Sequence, residues 1–203
     1  MLEGAKQRLS FITGITAPIK AAISPRRYFS SLGKLLDTYG IYAKAIIYTG
    51  SWIGASIIVF FLLLLIELLR SILSIDIGGF ITSPLRAFLY SFTFPLIAAV
   101  IDATLIAVLL LPFPRRRGIL DVYVIRSSSL LPYAIRVVAL SIEGNFSLAS
   151  LVSATSSLIG LILLVLGTLL TIYGLRRTIG VDLRGAIIAG SAPLIYKILL
   201  ALL

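Results

Sequence analysis

The sequence predicts an all-α protein, an integral membrane bundle of five transmembrane helices preceded by a cytoplasmic amphipathic segment. Three observations carry this reading. Of 203 residues, 59% are hydrophobic and only 13% charged, with a mean hydropathy of +1.10, against about 45–50% apolar and about 25% charged in ordinary soluble domains. Several apolar runs exceed the roughly 20 residues needed to cross a hydrocarbon core. The basic residues bracket those runs, so the net charge of +10 reads as topology and no nucleic-acid partner is expected.

The first element is the N-terminal segment, 1–44. In SPRRYFSSLGKLLDTY, residues 24–39, Ser24 stands at an N-cap and Pro25 at the first helical position. Phe29, Leu32 and Leu36 fall at i, i+3 and i+7 on one face, with Arg26, Arg27 and Lys34 largely elsewhere. Such a helix lies in the inner interface with its basic residues near anionic headgroups. No apolar run followed by a small-residue cleavage site occurs here, so no signal peptide is expected.

The membrane domain, 45–203, is read as spans at 45–69, 87–111, 122–142, 148–175 and 185–203. The first, second and fourth are plain apolar runs. The third holds Arg126, Arg136, the run of three serines at 127–129 and Pro132, and the fifth is short enough to end in the outer headgroup region. If five spans alternate, Lys6, Arg8, Lys20, Arg26, Arg27, Lys34 and Lys44 share one side with Arg115, Arg116, Arg117, Arg176, Arg177 and Arg184, which is 13 of the 18 basic residues. Only Arg70 and Arg86 fall opposite, beside Asp76 and Glu143. The excess of Lys and Arg marks the cytoplasmic side. The expected location is the cell membrane, with the N-terminus cytoplasmic and the C-terminus outside.

The chemistry-bearing candidates are few. The chain has no cysteine and no histidine, which excludes disulfides, thiolate nucleophiles, Ser-His-Asp sets and most zinc and haem sites. No phosphate-binding Gly-rich loop or metal cluster appears, so neither enzyme activity nor a cofactor is expected. A single Met, and 13 arginines against 5 lysines, suit a thermophile.

The residue that stands out is Asp102, inside AAVIDATLIAVLLLPFPRRRG (98–118). It lies ten residues before Pro112, about 15 Å from the inner boundary at 1.5 Å per residue, close to the midplane. On the next span Arg126 is shallower and Arg136 deeper, each by roughly 7 Å, and an extended arginine spans that difference. Two readings follow: a structural ion pair locking the second hairpin, or an ion-coupled site. Glu67 reads as a partner of Arg70 at i+3.

The fourth span carries Ser153, Gly160, Gly167 and Gly174 at seven-residue intervals, a small stripe that lets helix backbones approach in lipid. It suits packing within one bundle or, more sharply, a homo-oligomer interface. Gly50-x-x-x-Gly54 and Gly185-x-x-x-Ala189 offer similar surfaces. Pro95, Pro132 and Pro193 interrupt the second, third and fifth spans, where freed carbonyls can line a cavity.

The order of these features resembles the Yip family, polytopic membrane proteins named for binding Rab/Ypt GTPases, with archaeal and bacterial members. The resemblance rests on ISPRRYFSSL (23–32), similar to the family's S/T-x-P-x-x-x-F segment before the first span. DVYVIRSSSLLPYAIRVVAL (121–140) is similar to its polar helix start, short serine turn and Leu-Pro. LLTIYGLRRTIGVDLRGAIIAGSAPLIY (169–196) is similar to its Gly-Leu-Arg, polar loop and Ala-rich last span. The resemblance implies five spans, a cytoplasmic N-terminus and a non-enzymatic role as membrane-organising scaffold or partner-binding adaptor. Its partners would be anionic headgroups on the cytoplasmic face, a second copy or other membrane proteins. The alternatives are a small transporter or channel subunit using Asp102, or an accessory subunit of a larger membrane complex.

Overall fold

The computed structural model describes the backbone of residues 9–74, 77–145 and 150–202, and their side chains except at 74, 77–83, 94, 140–145, 150–157 and 200–202. Among these residues the fold is all-helical: α1 (Phe11–Ile15), α2 (Ala17–Ile23), α3 (Pro25–Ser74), α4 (Ile77–Leu109), α5 (Leu120–Ser128), α6 (Leu130–Asn145), α7 (Ser150–Gly174) and α8 (Leu183–Leu202). A π-helical turn, Leu175–Ile179, prolongs α7. Three stretches are long and apolar enough to cross a membrane: Pro25–Leu73, Pro84–Leu109 and Leu158–Ile179. The expected outer loop residue Asp76 lies outside the described residues, as do the side chains of Glu143 and Ser153.

Helix α3 is two rods joined at Gly40, whose φ of 55° and ψ of −130° suit only a residue without Cβ. The first rod, 25–39, is the expected amphipathic helix. Ser24 sits at its N-cap position and accepts the Tyr28 N–H through its carbonyl at 2.9 Å. Phe29, Leu32 and Leu36 are buried, while Arg26, Arg27 and Lys34 are exposed. The second rod, 41–74, is the expected first span.

The expected third span divides at Ser129 into α5 and α6. The cause is local. Pro132 lacks the N–H that would bond the Ser128 carbonyl, and its ring crowds that turn. The three serines before it turn their hydroxyls back onto the helix, Ser127 and Ser128 donating to the Val124 carbonyl at 3.0 and 2.8 Å and Ser129 to that of Ile125 at 2.9 Å. The expected fifth span, 185–203, falls on α8, which is not among the three stretches long and apolar enough to cross; α8 is begun by Asp182, whose side chain accepts the Gly185 N–H at 3.0 Å.

Two apolar cores fill the interior. One joins the first rod of α3 to the α7–α8 connection through Phe29, Ile106, Ile125, Leu175 and Ile179. The other is built on Val59, Ala99, Leu130, Tyr133 and Leu164. Outward faces are apolar as well: Phe61, Leu65, Leu69 and Ile72 recur at helical spacing on α3, each about half exposed or more. Such a stripe is costly in water and favourable in lipid.

Small residues are used for contacts within the chain. A Cβ at Gly167 would overlap the Tyr133 ring, one at Gly174 would meet Ile125 and Phe29, and one at Gly160 would lie 3.6 Å from the Arg136 side chain. Gly160, Gly167 and Gly174 of the α7 stripe therefore face α5, α6 and the first rod of α3. Gly50 and Gly54 do not face another long span within the chain. They receive Gly14 and Ile15 of α1, in the segment read from sequence as cytoplasmic. The α1–α2 segment packs level with residues 46–54 and buries Ala17 and Ala21 completely.

G54A drives a methyl into the Ile15 carbonyl and is expected to cost about 1–3 kcal/mol, as overpacking does. It should appear as a lower unfolding midpoint in detergent and earlier proteolysis before residue 25. G118A, which meets nothing within 4 Å, should change neither.

Candidate functional site

The site grows from one carboxylate. Asp102 sits on α4 between Ala99 of one core and Ile106 of the other, 1% exposed. Isolated, it would be heavily penalised. It is not isolated: Arg126 Nη2 donates to Asp102 Oδ2, and Lys197 Nζ of α8 donates to the same oxygen at 2.5 Å. Arg126 is fully buried.

Tyr133, the first aromatic after the break at Ser129, manages the two cations. The Arg126 guanidinium carbon lies 3.6 Å from its ring centroid and Lys197 Nζ 4.8 Å from it, so the negative ring face offsets some of their mutual repulsion. Thr168 spends its own hydroxyl hydrogen on the Leu164 carbonyl at 2.9 Å, so the Tyr133 hydroxyl is the donor in the 2.8 Å bond between them. The break at Ser129 places Arg126 and Tyr133 on separate helices, both able to reach the carboxylate region. One polar unit thus joins α4, α5, α6, α7 and α8.

Of the two arginines proposed from sequence, Arg126 takes Asp102. Arg136 does not; no carboxylate of the described residues lies within 4 Å of it. Arg136 instead packs over Gly160 and, with Lys197, lines a cleft of about 120 Å³ walled by Pro95, Ala98, Leu130, Tyr133, Ala134 and Val137. Arg126 Nε and Nη1 are buried without a hydrogen-bond partner. Sequence reasoning passes over Lys197. The cue was present: it lies 12 residues past Gly185, and Gly185 packs on Phe113, so Lys197 reaches the depth of Asp102, 11 residues before Phe113.

A second charged region lies at the helix ends. Arg115 donates to the Leu110 carbonyl at 3.0 Å, satisfying the C-terminus of α4. The Arg116 amide donates to the Ile179 carbonyl at 3.0 Å, and its side chain lies across Gly180. Arg117 donates to the Gly33 carbonyl at 3.0 Å and pairs with Asp37, fastening the first rod of α3. Lys44 pairs with Asp121 at 2.8 Å. Arg116, Arg117, Arg176 and Arg177 then share the rim of one recess of about 590 Å³, with Asp37 as its one acidic lining residue. Arg26, Arg27 and Lys34 line a separate groove of the first rod with Ser24, Ser30 and Ser31. Glu67 and Arg70 approach to 3.7 Å at i, i+3 as expected.

Comparison with protein families, curated proteins and solved structures finds no match to the chain. The functional reading therefore rests on the residues themselves.

D102N keeps the shape of the side chain but removes the charge shared by Arg126 and Lys197. Breaking a buried pair on one side costs about 3–5 kcal/mol, so a marked loss of unfolding midpoint is expected in detergent. K197Q alone leaves the Arg126 pair intact and should cost less. In the D102N/K197Q double the two losses should fall short of additivity by about 0.5–3 kcal/mol; strict additivity would remove Lys197 from the unit.

Proposed function

We propose that this chain is a non-enzymatic, five-span protein of the cell membrane, N-terminus cytoplasmic and C-terminus outside. In this reading it is similar to the Yip family and acts as a membrane-organising scaffold or partner-binding adaptor. Its arginine-rich end rests on anionic headgroups. The observation that carries this is the shared recess of Arg116, Arg117, Arg176 and Arg177. Two connections and the first rod of α3 contribute to it, and one carboxylate stands against four guanidinium groups. The Arg117–Gly33 and Arg116–Ile179 bonds hold it together, so the cations are presented on a fixed surface rather than on separate tails. Planar guanidinium groups bind phosphate oxygens in pairs, and basic clusters beside apolar spans favour anionic lipid.

The alternative of a small transporter or channel subunit is supported by a single observation, the cleft reaching Lys197. Asp102 itself is closed off by Arg126, Lys197 and Tyr133, which favours a lock over a coupling acid.

Affinity purification in mild detergent, with identification of co-purifying proteins and lipids, tests the leading reading. Enrichment of anionic lipid together with a stable partner or self-association is expected; neutral lipid alone, with no partner, would count against it. Each arginine near an anionic surface contributes about 1 kcal/mol, so R176Q/R177Q should weaken retention on phosphatidylglycerol vesicles roughly tenfold or more. Raising the salt should weaken the original chain in the same direction.

A further inference from the structure

The ion cluster is unbalanced. Three cations, Arg126, Lys197 and Arg136, gather around one carboxylate among the described residues. Asp102 offsets one of them. Arg126 and Lys197 lie against the Tyr133 ring, where water and salt screen poorly, and half-buried Arg136 adds its charge across the cleft. Two guanidinium nitrogens of Arg126 are buried without partners. Uncompensated positive charge in such a place is expensive, and the other polar groups at hand, Tyr133 and Thr168, are committed to each other.

Beside this excess charge lies a space. The cleft between α4, α6 and α8 is about 120 Å³, and its polar lining is Lys197, Arg136 and the edge of Tyr133, while Pro95, Ala98, Leu130, Ala134 and Val137 make the rest apolar. Lys197 gives one of its three N–H groups to Asp102, which leaves two for another acceptor. Arg136 is held in place by its stem over Gly160. No carboxylate lines the cleft, so a metal cation would find charge of its own sign and no ligands.

The geometry points to a binding site for a small inorganic anion in this cleft, with Lys197 and Arg136 as its direct ligands and Arg126 contributing field through the shared Asp102–Tyr133 unit. The space suits a halide with a few waters and is too small for a whole lipid headgroup. This site is independent of the scaffold reading, since it lies in the bundle interior and not at the arginine-rich end.

The test uses the full chain purified in a nonionic detergent without anionic lipid, exchanging gluconate for chloride at constant ionic strength and pH. Chloride should raise the unfolding midpoint saturably, and bromide should do the same. R136Q and K197Q should each raise the half-saturating chloride concentration about tenfold, the loss expected when one charged ligand is removed, and A98L, which fills the cleft, should abolish the response. If the variants fail to fold, bromide-soaked crystals of the original chain still decide: anomalous density in contact with Lys197 Nζ supports the site. No saturable response and no bromide density overturn it. So does a response unchanged in R136Q and K197Q. A midpoint that responds to phosphatidylglycerol but to neither chloride nor inorganic phosphate also overturns it, assigning the charge to a lipid.

Discussion

The carboxylate of Asp102 is the constraint on which the rest of the bundle depends. It accepts from Arg126 of α5 and Lys197 of α8 at a single oxygen, and those cations lie against Tyr133 of α6, which donates to Thr168 of α7. Apolar packing in lipid is weakly directional, because lipid tails compete with side chains for the same contacts. A polar unit that must be satisfied as a whole supplies the register that packing lacks. Its position between the two cores means that sliding any of these helices by one turn would strand a buried charge. Gly167 belongs to the same constraint: its missing Cβ is what allows the Tyr133 ring to sit where the cations need it.

Much of this was legible in the sequence, and the parts that were not share a cause. Counting residues along adjacent helices singles out Asp102 and narrows its partner to Arg126 or Arg136. The count could not choose between them, since it assumes a continuous third span, and the serine run with Pro132 breaks that span at Ser129. Lys197 escaped because the basic residues were weighed as markers of sidedness. The same weighing reduces Arg115, Arg116 and Arg117 to markers of the cytoplasmic side, whereas each has a distinct partner: Leu110, the Ile179–Gly180 turn, and Gly33 with Asp37. The last of these is separated by 84 and 80 residues, and local pattern carries no information over that distance.

The small residues teach a related lesson. Spacing marks Gly50, Gly54 and the α7 stripe as places of close approach, but it is silent about what approaches. For Gly160, Gly167 and Gly174 the occupants are Arg136, Tyr133, Ile125 and Phe29; for Gly50 and Gly54 they are Gly14 and Ile15. The short α1–α2 segment, too brief to register as an apolar run, meets the second rod of α3 through the backbone at Gly14 and Ile15 and joins the core through Ala17 and Ala21.

The balance between lock and engine turns on what would have to move. A proton-coupled cycle needs an acid that can exchange partners, with a second acid or an open path at the same depth. Asp102 is enclosed, and no second carboxylate joins it among the described residues. Lys197 is different. One face of its ammonium is fixed by Asp102, and the other borders the cleft with Arg136. Any exchange of charge at this depth therefore proceeds more readily by an anion arriving at Lys197 than by a proton leaving Asp102. The lock would then stay closed while its outer face does the binding, and structural and ligand-binding roles divide between the two sides of a single lysine.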